Sequence, residues 1–116
     1  MTRPATLCVV ASGLVTPIGF SADASLAALH AGVSGVRVLG HRHPASGRPL
    51  RGGRVALTQR GAGASLLAGL LAPAVGECLG VATAPLQEVP WLVGTSAVTR
   101  PGRPRRLDEW LLAEVA

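Results

Sequence analysis

Residues 7–19, with the sequence Leu-Cys-Val-Val-Ala-Ser-Gly-Leu-Val-Thr-Pro-Ile-Gly, constrain the fold more than any other part of the chain. Residues 7–10 form a short apolar run with β-branched side chains, which is typical of a strand buried on both faces beneath helices. Pro17 fixes its own φ and favours extended backbone in the residue before it, while Gly13 and Gly19 permit positive φ or a close backbone approach. The segment therefore predicts a buried strand that ends in a tight turn.

A helix is predicted directly after this turn. Ser21 has the position and side chain of an N-cap, and Asp23 lies in the first turn, where a carboxylate interacts favourably with the helix dipole. One stripe of the helix is made up of Leu26, Leu29 and His30. Gly32 is expected just after the last helical residues, where glycine commonly ends a helix. The first third of the chain is thus predicted to be a strand, a turn and a helix.

The turn and the end of this helix share a pattern with a known family. Residues 13–19 read Gly-Leu-Val-Thr-Pro-Ile-Gly, and residues 31–36 read Ala-Gly-Val-Ser-Gly-Val. This pattern resembles the opening of a β-ketoacyl-acyl-carrier-protein synthase, a condensing enzyme of fatty acid or polyketide biosynthesis. The resemblance implies an α/β fold, here the N-terminal half of a thiolase-like layered fold with a short mixed sheet and covering helices.

The resemblance continues less closely further along the chain. Residues 89–95 read Val-Pro-Trp-Leu-Val-Gly-Thr and are similar to a later strand of the family, so a second buried strand is predicted at residues 91–94. The loop before the second helix is shorter than in the family and lacks its usual aspartate-rich approach. This departure indicates a divergent or truncated member.

The resemblance assigns no catalytic, cofactor-binding or metal-binding residue to this chain. The family is an acyltransferase (3-oxoacyl synthase) that uses an elbow cysteine, two histidines and a lysine, all beyond the matched region. The sequence has no lysine, neither cysteine has the elbow context, and its histidines fall in other elements; these are His30, His41 and His43. Because the thiolate and the groups that stabilise the enolate act as a unit, the chain is expected to be inactive alone.

Length and composition predict a single domain with a weakly driven core. The chain has 116 residues, among them fifteen glycines, one Phe, two Trp and no Tyr. Small side chains bury little apolar area each, and the hydrophobic stabilisation scales with that area. We therefore expect marginal stability for the isolated protein.

Arginine clusters in the middle of the chain. The net charge of +5 is carried by eleven arginines without lysine, which is also what a GC-rich coding bias would produce. A segment without acidic residues contains Arg37, Arg42, Arg48, Arg51, Arg54 and Arg60, together with two of the histidines. Arginine forks bind phosphates in a bidentate manner, but no aromatic residue lies among these arginines to stack on bases. An anionic partner is therefore an alternative for this segment, and nucleic acid is disfavoured as that partner.

Periodicity and breaker residues predict the remaining elements. Residues 36–39 favour a short strand or turn, residues 41–53 a loop, and residues 54–57 a short edge strand. Leucines at helical spacing predict a buried helix over residues 64–79, kinked or broken at Pro73 and ended by the glycine that follows. A membrane helix is the rival interpretation of this nearly uncharged stretch, although proline, glycines and one glutamate interrupt it.

The C-terminal segment differs in composition from the rest of the chain. Residues 1–99 are assigned to the ketosynthase-like region and residues 100–116 to a Pro/Arg-rich linker with a short C-terminal helix. No secretory signal is recognisable, so we expect a bacterial, cytoplasmic protein. Cys8 and Cys78 are then expected to be free, apolar core residues, and no common zinc spacing is present.

Three hypotheses about function follow. The first is a ketosynthase-like N-terminal portion, either truncated or a short accessory protein. The second is a non-catalytic interaction protein that binds another chain, such as a true synthase, with homo-oligomers and acyl-carrier protein as further candidate partners. The third is an Arg-rich loop protein that binds an anionic partner.

Overall fold

The computed structural model describes residues 6–57, 63–81 and 85–115. Over these residues the chain is a small mixed α/β domain with three α-helices, a 3₁₀ turn and one two-stranded antiparallel sheet. In chain order the elements are α1 (Ala22–His30), β1 (Val36–Arg42), β2 (Pro49–Gly53), α2 (Ala64–Leu79), the 3₁₀ turn (Leu86–Glu88) and α3 (Leu107–Val115). Arg60, which belongs to the arginine cluster, lies outside the described residues.

Both ends of α1 are capped as its sequence predicts. The Ser21 side chain accepts a hydrogen bond from the backbone N–H of Ala24 at 3.1 Å. At the other end, Gly32 has a φ of +71° and donates to the Leu29 carbonyl, and Val33 donates to the Ala28 carbonyl. This pair of hydrogen bonds is a Schellman motif, which satisfies carbonyls that a helix end leaves without partners.

The sheet is a β-hairpin, and it differs from the predicted layout. β1 begins at Val36 as expected, but residues 41–53 contain the end of β1 and all of β2, not only a loop, and residues 54–57 are not a strand. Val36 pairs with Gly53 and Val38 with Arg51, and β1 then carries two more residues than β2 before Arg42 pairs with Pro49. The proline and glycines of β2 hide the strand from a propensity argument, because these residues are normally depleted in strands.

Helix α2 has the predicted bounds. It runs without interruption through Pro73 and ends before Gly80. Its Ala64 and Ala68 are buried, whereas Leu66 is 38% exposed, so the helix is buried along one narrow stripe only. Within the ranges that the structure describes, no helix is long and apolar enough to cross a membrane.

The two predicted buried strands are wrong. Residues 7–10 and 91–94 have no strand assignment, and their side chains face solvent, with Leu7 97% and Leu92 98% exposed. Cys8 is exposed with its neighbours, so the prediction that it is a core residue is also wrong, while Cys78 is half-buried. A strand buried on both faces needs neighbouring strands and covering helices, and the described chain supplies neither to these two segments.

The core is small and lies where α3 packs against α2 and where α1 meets the turn before it. Among the residues that the structure describes, the buried apolar ones are Ala22, Ala64, Ala68, Leu107 and Leu111. Leu107 and Leu111 are each only 4% exposed, so the C-terminal helix docks on the rest of the chain although a Pro/Arg-rich segment precedes it. The buried stripe of α1 differs from the prediction, because Ala22 and Ser25 are buried whereas Leu26 and Leu29 are 47% and 62% exposed.

The molecule exposes more surface than a compact protein of its mass. Its accessible surface is 9683 Å². A compact monomer of this mass exposes about 5900 Å². The radius of gyration of 17.7 Å also exceeds the value of about 13 Å expected for a compact domain of this length. Much apolar surface therefore remains uncovered.

Candidate functional site

The Thr-Pro-Ile-Gly turn is closed by hydrogen bonds at both the backbone and the side chains. Thr16 and Gly19 form a two-residue bridge, with the Thr16 N–H donating to the Gly19 carbonyl at 2.8 Å. The hydroxyls of Thr16 and Ser25 are 2.9 Å apart, and the Ser25 hydroxyl also donates to the Gly19 carbonyl. Ser25 is 5% exposed and fully satisfied, so this turn is fixed rigidly against α1.

Glycines allow this close contact. A Cβ atom on Gly19 would lie 2.5 Å from the Ser25 nitrogen, and one on Gly13 would lie 1.9 Å from the carbonyl oxygen of Ala74 in α2. Neither glycine has a positive φ within the described chain. Of the two predicted reasons for these glycines, close backbone approach is confirmed and positive φ is wrong.

Glu77 joins the turn to α2, a link that the sequence analysis missed. Its carboxylate accepts hydrogen bonds from the backbone N–H of Ala22, at 2.9 and 3.0 Å, and of Leu14, at 3.1 Å. The acceptor lies at the N-terminus of α1, where the helix dipole favours negative charge. In the sequence, this contact is indicated by a single glutamate within an otherwise apolar helix.

An apolar cleft opens between the turn, α1 and the base of the hairpin. Its volume is about 340 Å³. The lining residues are Leu14, Thr16, Pro17, Ile18, Ser25, Leu26, Leu29, Gly35, Val36 and Gly53. None of these has a titratable side chain, and the two hydroxyls are already hydrogen-bonded to each other. The cleft is therefore suited to receive an apolar group and not to transfer protons.

Arginines surround the hairpin beside this cleft. Residues 36–54 contain five arginines and no acidic residue, and all five are exposed. Arg42 donates to the Gly47 carbonyl at 2.9 Å across the loop. Among the described residues, none of the five forms a salt bridge, because the two salt bridges found there involve Arg103 and Arg106. The hairpin is thus a cationic surface next to an apolar cleft.

A second polar cluster fixes the start of α3. The Arg103 side chain is only 3% exposed and donates to the Ser96 carbonyl at 2.8 Å and to the Asp108 carboxylate at 2.6 Å. Thr95 donates to the same carboxylate at 2.6 Å. The hydrogen bond from Thr95 and then the Arg103 guanidinium lower the pKa of Asp108 below its ordinary value. The cluster thus holds the start of α3 against the segment before it.

The structure does not bring the histidines and cysteines together in one site. His41 and His43 are exposed at the tip of the hairpin, and His43 accepts a hydrogen bond from the Ser46 N–H at 3.3 Å. His30 is exposed at the end of α1, and both cysteines are free. In the part of the chain that the structure describes, no three metal-ligating side chains form a group.

Comparisons with known proteins add no relative. No family model matches the chain, and neither the curated proteins nor the solved structures yield a match. The class defined by the fold is therefore a small mixed α/β domain with an apolar cleft beside a cationic hairpin.

Proposed function

We propose that this chain corresponds to the N-terminal portion of a ketosynthase-like, thiolase-type fold, has no condensing activity alone, and is completed by another polypeptide. One observation carries the proposal: residues 7–10 and 91–94 have the composition of buried strands, yet both are exposed and unpaired within the described chain. Exposed apolar segments of strand-forming composition, with unpaired backbone groups, can pair with another chain. The motif-bearing turn and the capped helix α1 support the same family assignment.

The lack of activity follows from the placement of the thiols. Acyl transfer to sulfur requires a thiolate with an adjacent base, and condensation requires donors aimed at the enolate oxygen. Cys8 lies in an exposed segment without secondary structure and Cys78 near the end of α2, and neither has a hydrogen bond to a histidine in the described structure. Neither thiol has the environment of a nucleophile.

We therefore expect no transfer of an acyl group from acyl-carrier protein to this chain. Intact-protein mass spectrometry checks the mass of the purified protein after incubation, and malonyl-carrier protein should release no carbon dioxide. A Cys8→Ala variant controls for slow chemical modification of an exposed thiol. A stoichiometric adduct on either cysteine, formed at an enzymatic rate, would contradict the proposal.

Two valine variants test whether residues 7–10 pair with another chain. Val9 lies in the first apolar segment and is 89% exposed, and Val98 lies outside both segments and is 78% exposed. Val9→Asp and Val98→Asp should therefore leave the isolated chain equally stable. When the chain is co-expressed with a ketosynthase that lacks its own first strand, turn and helix, Val9→Asp should abolish co-purification and Val98→Asp should not.

The outcomes of this experiment separate the hypotheses. Binding to the shortened synthase supports completion of the fold, whereas equal binding to the intact synthase assigns the chain to an accessory role. A stable monomer at tens of micromolar, with a sharp cooperative melt and no dye binding to apolar surface, would show that the fold is closed and the proposal wrong.

A further inference from the structure

Charge is segregated between two exposed elements of this chain. The hairpin segment, residues 36–54, has five arginines and no acidic residue, whereas α3 has three of the six acidic residues and no basic residue. Two of the three acids of α3 already have partners, because Asp108 pairs with Arg103 and Glu109 with Arg106. Glu114 is exposed and forms no salt bridge within the described residues. The one uncommitted carboxylate of α3 thus lies on its surface.

The receiving surface combines the apolar cleft with one arginine. Val36 lines the cleft, and Val38, two residues further, lies on the same face of β1 and is 64% exposed. Arg51 is directly opposite Val38 in the antiparallel register, so its side chain leaves the hairpin on this same face. Two residues along a strand span about 7 Å. An apolar group that contacts Val36 in the cleft would therefore lie about 7 Å from Val38, the residue opposite Arg51.

Helix α3 presents the complementary pattern. Trp110 is 47% exposed, and Glu114 follows it by four residues. Side chains four residues apart lie on one face of a helix, about 5–6 Å from each other. An indole in the cleft would bring the carboxylate of Glu114 to Arg51. The helix also lacks any basic residue that would repel the arginines of the hairpin.

We propose that a second copy of this chain docks on the cleft, with Trp110 of α3 in the apolar cleft and Glu114 against Arg51. The chain as a whole exposes more surface than such an interface requires. The chain exposes 9683 Å². This is about 3800 Å² more than a compact monomer of its mass exposes, whereas a standard interface takes about 800 Å² from each partner. The contact is independent of the proposed ketosynthase relationship and uses other residues than residues 7–10.

Sedimentation equilibrium of the full chain tests the contact. Arg51→Glu and Glu114→Arg should each weaken self-association by about tenfold or more, because each places like charges opposite each other. The double variant, Arg51→Glu with Glu114→Arg, should regain most of the association. Arg105→Glu and Glu88→Arg are the matched controls, since both residues are exposed and belong to neither surface. Association should also weaken as salt is added.

Three results would overturn the proposal. They are a monomeric parent protein at tens of micromolar, equal weakening by the control variants, and failure of the double variant to associate while its circular dichroism matches that of the parent. Retained association of Arg51→Glu, with loss of binding to a short DNA duplex, would assign the hairpin to nucleic acid instead. Val9→Asp separates this contact from the proposed function, because it should leave self-association unchanged.

Discussion

At the scale of single residues, glycines in this protein serve two different purposes. Gly13 and Gly19 have no room for a Cβ atom, whereas Gly47 has open space around it but a φ of +65°. Gly40 has neither constraint: in the described part of the chain a Cβ atom there would meet no heavy atom within 4 Å beyond its chain neighbours, and its φ is not positive. The tight turn is predictable from the sequence, but the backbone atoms that pack against Gly13 and Gly19 are not, because they belong to residues outside the turn.

Gly13→Ala and Gly19→Ala should each destabilise the protein by about 1–3 kcal/mol, because backbone atoms must move to admit the methyl group. Gly40→Ala is the matched control and should be neutral or slightly stabilising, since it lowers the entropy of the unfolded chain. Urea denaturation of the three variants measures the differences. Equal free energies of unfolding for Gly13→Ala and Gly40→Ala would show that the turn does not touch α2.

Glu77→Gln should lower the free energy of unfolding by about 1 kcal/mol, because a neutral amide is a weaker acceptor at the N-terminus of α1. Glu88→Gln is the control, since that side chain is exposed and has no hydrogen bond among the described contacts. Thermal melts at neutral pH compare the two. Identical melting temperatures would contradict the link between α1 and α2.

At the scale of elements, local signals predicted the helices and the start of β1, but they failed for β2 and for residues 7–10 and 91–94. Caps, leucine spacing and a terminal glycine are all within a few residues of each other, so the ends of α1 and the full extent of α2 follow from the sequence. Whether a segment forms a strand depends on a partner outside the segment itself. Residues 7–10 have the composition of a buried strand without a neighbour, and β2 has a poor strand composition but a neighbour only a few residues away.

The docking of α3 should depend on acidity. Because the pKa of Asp108 is lowered in the folded chain, the carboxylate stabilises the fold above the ordinary value of 3.8. This contribution is lost as the pH falls through the lower, folded-state pKa. The signals of the Arg103 Nη2 protons, which donate to Asp108, should therefore broaden or exchange faster in NMR spectra as the pH is lowered through this window.

The variant Asp108→Asn should remove this pH dependence. Glu109→Gln is the control, because Glu109 and Arg106 are both largely exposed and their pair contributes little. An unchanged acid response in Asp108→Asn would locate the titrating group elsewhere.

At the scale of the whole molecule, incomplete burial has a thermodynamic signature. On folding, this chain buries about two-thirds of the surface that a compact domain of equal mass buries. The urea m-value and the heat capacity of unfolding both scale with this buried surface.

Under conditions where the protein is monomeric, the m-value should be about two-thirds of that of a compact domain of this length. It should rise when association covers further surface. Urea titrations at several protein concentrations measure both effects. An m-value typical of a compact domain at the lowest concentration would show that the monomer already buries as much surface as a compact domain.

The contact between Glu77 and the start of α1 also sets an order of events during synthesis. Glu77 lies 55 residues after Ala22, and its carboxylate accepts a hydrogen bond from the Ala22 N–H. At translation rates of about 5–20 residues per second, this interval lasts about 3–11 seconds. The N-terminal turn therefore leaves the ribosome well before the residue that anchors it, and its apolar neighbours are open to chaperones during that time.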